Sequence, residues 1–334
     1  MNRPRRLLVP FLLLPLLTLA CLAVGDAHVG VENIWCALAG NDDGTTATYI
    51  VRHVRLPQML TALIAGSALG AAGLVMQTVF ANPLADPSLL GINAGASIGV
   101  GVSTLFLGGQ IAVGSLSLGG TLLTVLSALA GAAVVMAILL LLAATMKSPL
   151  HLLVAGVMVS FAAGSLTAII SFFASEDGLR SYVTWGMGDF SSLSLDRLPL
   201  FALVVLCALA LLPFRTRALD AFLLGSVYAR NLGVNVRRER CAVLMVACLL
   251  CAIVTAVCGP IAFIGMAAPH AARFINGAAA HRWLLPLTLL WGANIALLST
   301  ILSHAVPGTI FPVNALTPIL GVPLVFLLLS RRNA

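Results

Sequence analysis

Residues 59 to 80 carry no charge over 22 consecutive positions, and the chain then breaks at Asn82-Pro83-Leu84-Ala85-Asp86-Pro87. About 20 apolar residues cross a bilayer as a helix, so this run reads as a membrane span. Pro83 and Pro87 lack an amide donor and push the residue before each of them out of helical geometry, so the helix has to end there. Asp86 is placed to cap a new helix whose first residue is Pro87. Gly66 and Gly70 sit four apart, as do Gly91, Gly95 and Gly99. Each series predicts a smooth helix face against which a second backbone packs closely.

The same pattern fills the chain. Sixty per cent of residues are hydrophobic, 9% are charged and mean hydropathy is +1.07, which excludes an ordinary soluble domain. Apolar runs fall near residues 7–24, 59–80, 92–107, 117–145, 150–174, 198–213, 241–257, 261–276, 283–303 and 313–330. The expectation is one all-α polytopic membrane domain, residues 1–334, with about ten transmembrane helices. Runs shorter than about 20 residues are expected to be broken or held within protein. The first run, behind Arg3, Arg5 and Arg6, could be a signal peptide or an uncleaved first span; the spans that follow favour the latter.

An even number of spans puts both termini on one side. Arg3, Arg5, Arg6, Lys147, Arg215, Arg217, Arg230, Arg237, Arg238, Arg240, Arg273, Arg282, Arg331 and Arg332 then share a face, against Arg52, Arg55, Arg180 and Arg197 opposite. The basic excess marks the cytoplasm, so both termini are expected there. Topology thus accounts for the net charge of +7, and no nucleic-acid partner is implied.

Several chemical readings can be weighed. Gly95-Ala96-Ser97-Ile98-Gly99 matches the hydrolase elbow pattern, but it lies in a span and lacks the strand-to-helix context. Cys248 and Cys251 form a CxxC at helical spacing, which reads as packing rather than as redox or metal chemistry. Lys147-Ser148 follows Thr145-Met146 instead of a glycine-rich loop, so no phosphate cradle precedes the single lysine. No catalytic residue, metal site or bound cofactor is expected in this chain. Any ATP and Mg would sit on a partner.

Four motifs occur in order: Arg55-Leu56-Pro57 with NPLADP and LGINAGAS (residues 82–87 and 90–97); Trp185-Gly186-Met187-Gly188; LGSVYARNLGV (224–234); and GPIAFIG (259–265) with Ala268-Pro269-His270-Ala271-Ala272-Arg273. Together they resemble the FecCD-type permease subunits of type II ATP-binding-cassette importers for ferric siderophores, haem and cobalamin. The resemblance covers essentially the whole chain.

It implies the type II importer fold in a bacterial inner membrane, with a cytoplasmic ATPase dimer, a periplasmic substrate-binding protein and a second permease copy or paralogue. The cytoplasmic loop at about 215–240 would couple to the ATPase through Leu224, Gly225, Ser226, Ala229, Arg230, Leu232 and Gly233. Locally, Ser226 is suited to cap a short helix that Gly233 ends. Asn82, Pro83 and Leu84, with Pro149, Leu150 and His151, would lie at the inner gate and pathway. Arg52 and Arg55 would dock the binding protein, or else snorkel to the interface. Gly259, Pro260, Pro269, His270 and Arg273 are carried as structural motif positions. His270 could be a metal or proton-relay group, but no second ligand stands at helical spacing, which favours a structural contact.

An iron-siderophore complex is the expected substrate, with haem or cobalamin as alternatives. An ion-coupled secondary transporter is the rival class. It commonly keeps acids or histidine chains near mid-membrane, whereas no Asp or Glu is centred in any span here.

Overall fold

The structure is a computed structural model, and it describes residues 3–25, 29–39, 44–106, 110–113, 116–146, 148–277, 280–306 and 308–330. Lys147, Asp26, Asp42, Asp43, Arg331 and Arg332 lie outside the described residues. The chain forms helices α1 (Arg3–Ala23), α2 (Val31–Leu38), α3 (Thr46–Ile50), α4 (Leu56–Val79), α5 (Ile92–Gly101), α6 (Gly120–Thr145), α7 (Pro149–Phe172) and α8 (Glu176–Gly186). They are followed by α9 (Leu198–Ala210), α10 (Thr216–Leu223), α11 (Ser226–Asn231), α12 (Val236–Cys258), α13 (Ile264–Asn276), α14 (His281–Ser303) and α15 (Val313–Ser330). Among the described residues one short hairpin, Gln110–Val113 with Leu116–Gly119, and an isolated bridge between Val306 and Thr309 accompany the helices.

Each of the ten apolar runs overlaps a helix, although the run at 117–145 begins in the strand Leu116–Gly119. Among the described residues six helical segments are long and apolar enough to cross a membrane: Thr46–Val79, Gly120–Thr145, Pro149–Phe172, Leu198–Leu223, Val236–Cys258 and His281–Ser303. Shorter apolar helices include Leu8–Ala23, Ile92–Leu105 and Val313–Pro323. Burial ranks them: 78% of the apolar window ending in α4 is buried, against 17% in α7. The centre is therefore α4 with α12, α13 and α14, while α7 presents most of its surface outward.

Glycine makes that centre possible. A Cβ on Gly66 would lie 2.4 Å from the Gly292 carbonyl oxygen, and one on Gly73 only 1.8 Å from that of Gly265. On the other side, a Cβ on Gly99 would come within 1.9 Å of the Ser127 carbonyl oxygen on α6. In hydrocarbon, where apolar burial gives no preference for a neighbouring helix over lipid, such backbone-to-backbone packing is a main source of association. Gly91 does not extend the Gly95 and Gly99 face as its spacing suggests. It takes the left-handed conformation (φ +87°) as the N-cap of α5 and packs on Ser160.

The proline break behaves as its sequence predicts. Asp86 caps a single 3-10 turn, Pro87–Leu90, with Oδ1 accepting from the Ser88 amide at 2.9 Å and hydroxyl at 2.5 Å. The turn then folds back into the protein. Asp86 is buried, and its Oδ2 faces the first turn of α13, where a Cβ on Gly265 would come within 2.8 Å of it. The positive end of that helix is a favourable place for a carboxylate.

Candidate functional site

At one end of the helices, three distant stretches converge. Gly259 holds φ +74°, and a Cβ there would lie 2.3 Å from the Trp185 carbonyl oxygen, so the GPI turn packs directly on the Trp185–Gly188 turn. The Asp189 amide donates to Cys258 O at 2.8 Å, and the Asn314 amide donates to Met187 O at 3.1 Å. Beside this knot opens a cleft of about 440 Å³ whose lining includes Thr121, Thr124, Arg180, Thr184, Trp185 and Ser192. The indole N–H of Trp185 is buried and makes no hydrogen bond. A cation and several hydroxyls thus line one opening beside the Trp185 ring.

Arg52 is half-buried, in a π-helical turn (Val51–Arg55) that joins α3 to α4. Arg55 departs from the docking expectation. It is buried, and Nη1 donates to Leu22 O at 2.8 Å and Ala23 O at 2.9 Å. Those are carbonyls at the end of α1, which lack intrahelical partners. The guanidinium closes a helix end instead of facing a partner.

At the opposite end, Asn82 makes a tight turn, with Oδ1 accepting from the Leu84 amide at 2.9 Å. Pro83 and Leu84 are exposed, as are Leu150 and His151; Pro149 opens α7 and is half-buried. Both expected gate segments therefore present a leucine outward.

His270 Nδ1 lies 2.9 Å from Met266 O, one turn earlier on α13. Arg273 donates to Gln77 Oε1 of α4, and Gln77 Nε2 donates to Met266 O at 3.2 Å. Pro269 is inside α13. No group of three or more His, Cys, Asp or Glu suited to a metal ion is found among the described residues.

The loop 215–240 is two short helices and their turns. Gly225 (φ +93°), not Ser226, occupies the N-cap of α11, and no side chain caps it. A residue without a Cβ takes that conformation at least cost. Gly233 (φ +80°) ends the unit as expected: its amide donates to Arg230 O, and that of Val234 to Ala229 O. Ala229 packs with Ala221 and Val236 in a small core of its own. Leu224, Val227, Tyr228 and Leu232 are left exposed, each by 60% or more, beside exposed Arg230. These apolar side chains form one exposed patch, larger than scattered surface residues make.

One connection was not foreseen. Asp220 Oδ1 of α10 accepts from the His281 amide at 2.9 Å and lies 2.7 Å from His281 Nδ1, while His281 Nε2 lies 2.8 Å from Thr78 Oγ1 of α4. His281 is fully buried. The chain Asp220–His281–Thr78 joins the helix that precedes α11 to the last turn before the Asn82 turn. No local motif announces it, because its members stand 61 and 203 residues apart.

Sequence and structure comparisons bear on all of these places. Residues 13–332 match the FecCD transport family. The chain is 36% identical to the ferric enterobactin transport system permease protein of Escherichia coli (strain K12), covering 98% of this chain and 96% of that one. It is 34% identical to the hemin transport system permease protein of Yersinia pestis, with the same coverage. A solved ABC transporter assigned to the metal-chelate type, in an inward-facing conformation, superposes with a TM-score of 0.83 at 26% identity, over 98% of this chain and 99% of that one.

Proposed function

Because the chain belongs to the FecCD transport family, we propose that it moves a ferric siderophore complex inward as one half of an ATP-driven channel. It is a type II importer permease of metal-chelate type, a polytopic inner-membrane protein that holds no ATPase machinery of its own. Such an importer works with an ATPase and a periplasmic binding protein. The finer reading adds ten crossings with both termini in the cytoplasm, and a second permease half covering the outward surface of α7.

The outer cleft carries the choice of substrate. Arg180 and the hydroxyls of Thr121, Thr124, Thr184 and Ser192 suit the oxygen-rich, anionic surface of a ferric chelate, and the first relative described above is named for ferric enterobactin. The apolar face of α11 would dock in the ATPase, with Leu224, Gly225, Ser226, Ala229, Arg230, Leu232 and Gly233 forming the unit. Of the two docking arginines, Arg52 keeps that role and Arg55 supports the fold.

Haem is the second reading, favoured by the likeness to the hemin permease. Uptake by vesicles holding the permease, its ATPase and its binding protein, offered ferric siderophores, haem and cobalamin with and without ATP, separates them. ATP-dependent accumulation of a ferric siderophore alone is the expected result. Accumulation of haem alone would establish the second reading, and uptake driven by a proton gradient without ATP would overturn both.

A further inference from the structure

Two cavities follow one another along the inner ends of α6 and α12. One, of about 600 Å³, is walled by apolar side chains including Leu140 and Leu141 of α6 and Cys241 and Met245 of α12, with Arg238 as its charged member. The other, of about 540 Å³, lies at the last turn of α6 and the first of α12 and takes in Arg230, Arg237 and Arg240. Four arginines thus stand at the end of an apolar groove.

Their charge is not neutralised locally. Glu239 lies among them in sequence, but both its carboxylate oxygens accept from Arg215 Nη1, at 2.7 and 2.9 Å. No carboxylate lines either cavity, and Arg230, Arg237, Arg238 and Arg240 make no ion pair among the described residues. Arg240 is buried and donates to Met146 O at 3.2 Å, which closes the end of α6. The N-terminus of α12 adds the positive end of a 23-residue helix at the same level.

We propose that this is a binding site for one anionic phospholipid, whose phosphate is held by Arg237, Arg238 and Arg240 and whose acyl chain lies between α6 and α12. The pairing of features selects this occupant. A free phosphate has no use for the apolar groove, and a carboxylate from a protein partner would use only the lower cavity. A lipid fills both, and basic pockets between spans on the cytoplasmic side recognise anionic headgroups. The site is independent of which chelate is carried.

Native mass spectrometry of the full-length permease with its ATPase, released from bilayers of equal phosphatidylglycerol and phosphatidylcholine, tests this. One phosphatidylglycerol per permease is expected to be retained in preference to phosphatidylcholine. The double variant Arg237→Ala/Arg238→Ala should lower that retention at least tenfold. Ala242→Trp, which fills the groove and leaves the arginines in place, should do the same. Arg282→Ala removes an exposed arginine from the start of α14 and should change nothing. Equal loss in Arg282→Ala would mean that general surface charge attracts the lipid. Loss of the ATPase from the double variant with lipid retention intact would assign the arginines to that partner. Retention of inorganic phosphate alone, in place of lipid, would make this a simple anion site. Any of these three results overturns the proposal.

Discussion

Gly73 and Gly164 are both glycines in apolar helices, yet they differ in what a methyl group would meet. At Gly73 a Cβ collides with the backbone of Gly265; at Gly164 nothing stands within 4 Å. Gly73→Ala should therefore lower thermal stability in detergent by about 1–3 kcal/mol or more, as overpacking does. Gly164→Ala should stay within about 0.5 kcal/mol of the parent, as a surface change does. Equal melting temperatures for the two variants would contradict the close packing of α4 on α13. His281 makes a second case. His281→Ala removes the imidazole between Asp220 and Thr78, at about 1–3 kcal/mol for the lost buried hydrogen bonds and the cavity left behind. If that link carries motion from α10 to α4, uptake should fall while the ATPase still turns over in the complex, a split that paired ATPase and uptake assays would resolve.

Helices were the most legible level of the sequence. Uncharged length placed the spans, and the proline pair with Asp86 placed the break and its cap, because these are local effects of backbone chemistry. Long-range partners were not legible. Arg55 carries no local sign that the end of α1 needs its guanidinium, and Gly91 shares the spacing of a packing glycine while serving as a cap. Ser226 has the right chemistry for an N-cap and was displaced by Gly225, because the entry to α11 requires a positive φ. That unit can be tested as an element. Val227→Asp puts a charge on the exposed apolar face of α11 and should release the ATPase on copurification while the melting temperature holds. Gly225→Ala should cost about 1–3 kcal/mol, the penalty for a side chain in an extended positive-φ conformation that essentially only glycine adopts. It should loosen α11 without touching the membrane core.

At the scale of the whole molecule, two groups of arginines lie at opposite ends of the helices. The outer cleft holds Arg180 and Trp185, and the opposite end holds the Asn82 turn, α11 and the arginine cluster. Arg180→Ala should reduce ATP-driven uptake of an anionic ferric chelate about tenfold or more, the effect of losing a charge-assisted contact worth roughly 1.5–3 kcal/mol, and should leave the assembly intact. Unchanged uptake in that variant would remove the cleft from the path.

The seam between α4 and its neighbours has a thermodynamic consequence. Gly66, Gly70 and Gly73 meet Gly292, Thr288 and Gly265 largely through main chain. Glycine has no side-chain rotamers to freeze or release. A displacement of α4 along this seam would reshuffle dispersion contacts between peptide groups and leave side-chain disorder nearly unchanged. Its free-energy difference would then be mainly enthalpic, and the balance between the two positions would move with temperature in the direction set by the better-packed one.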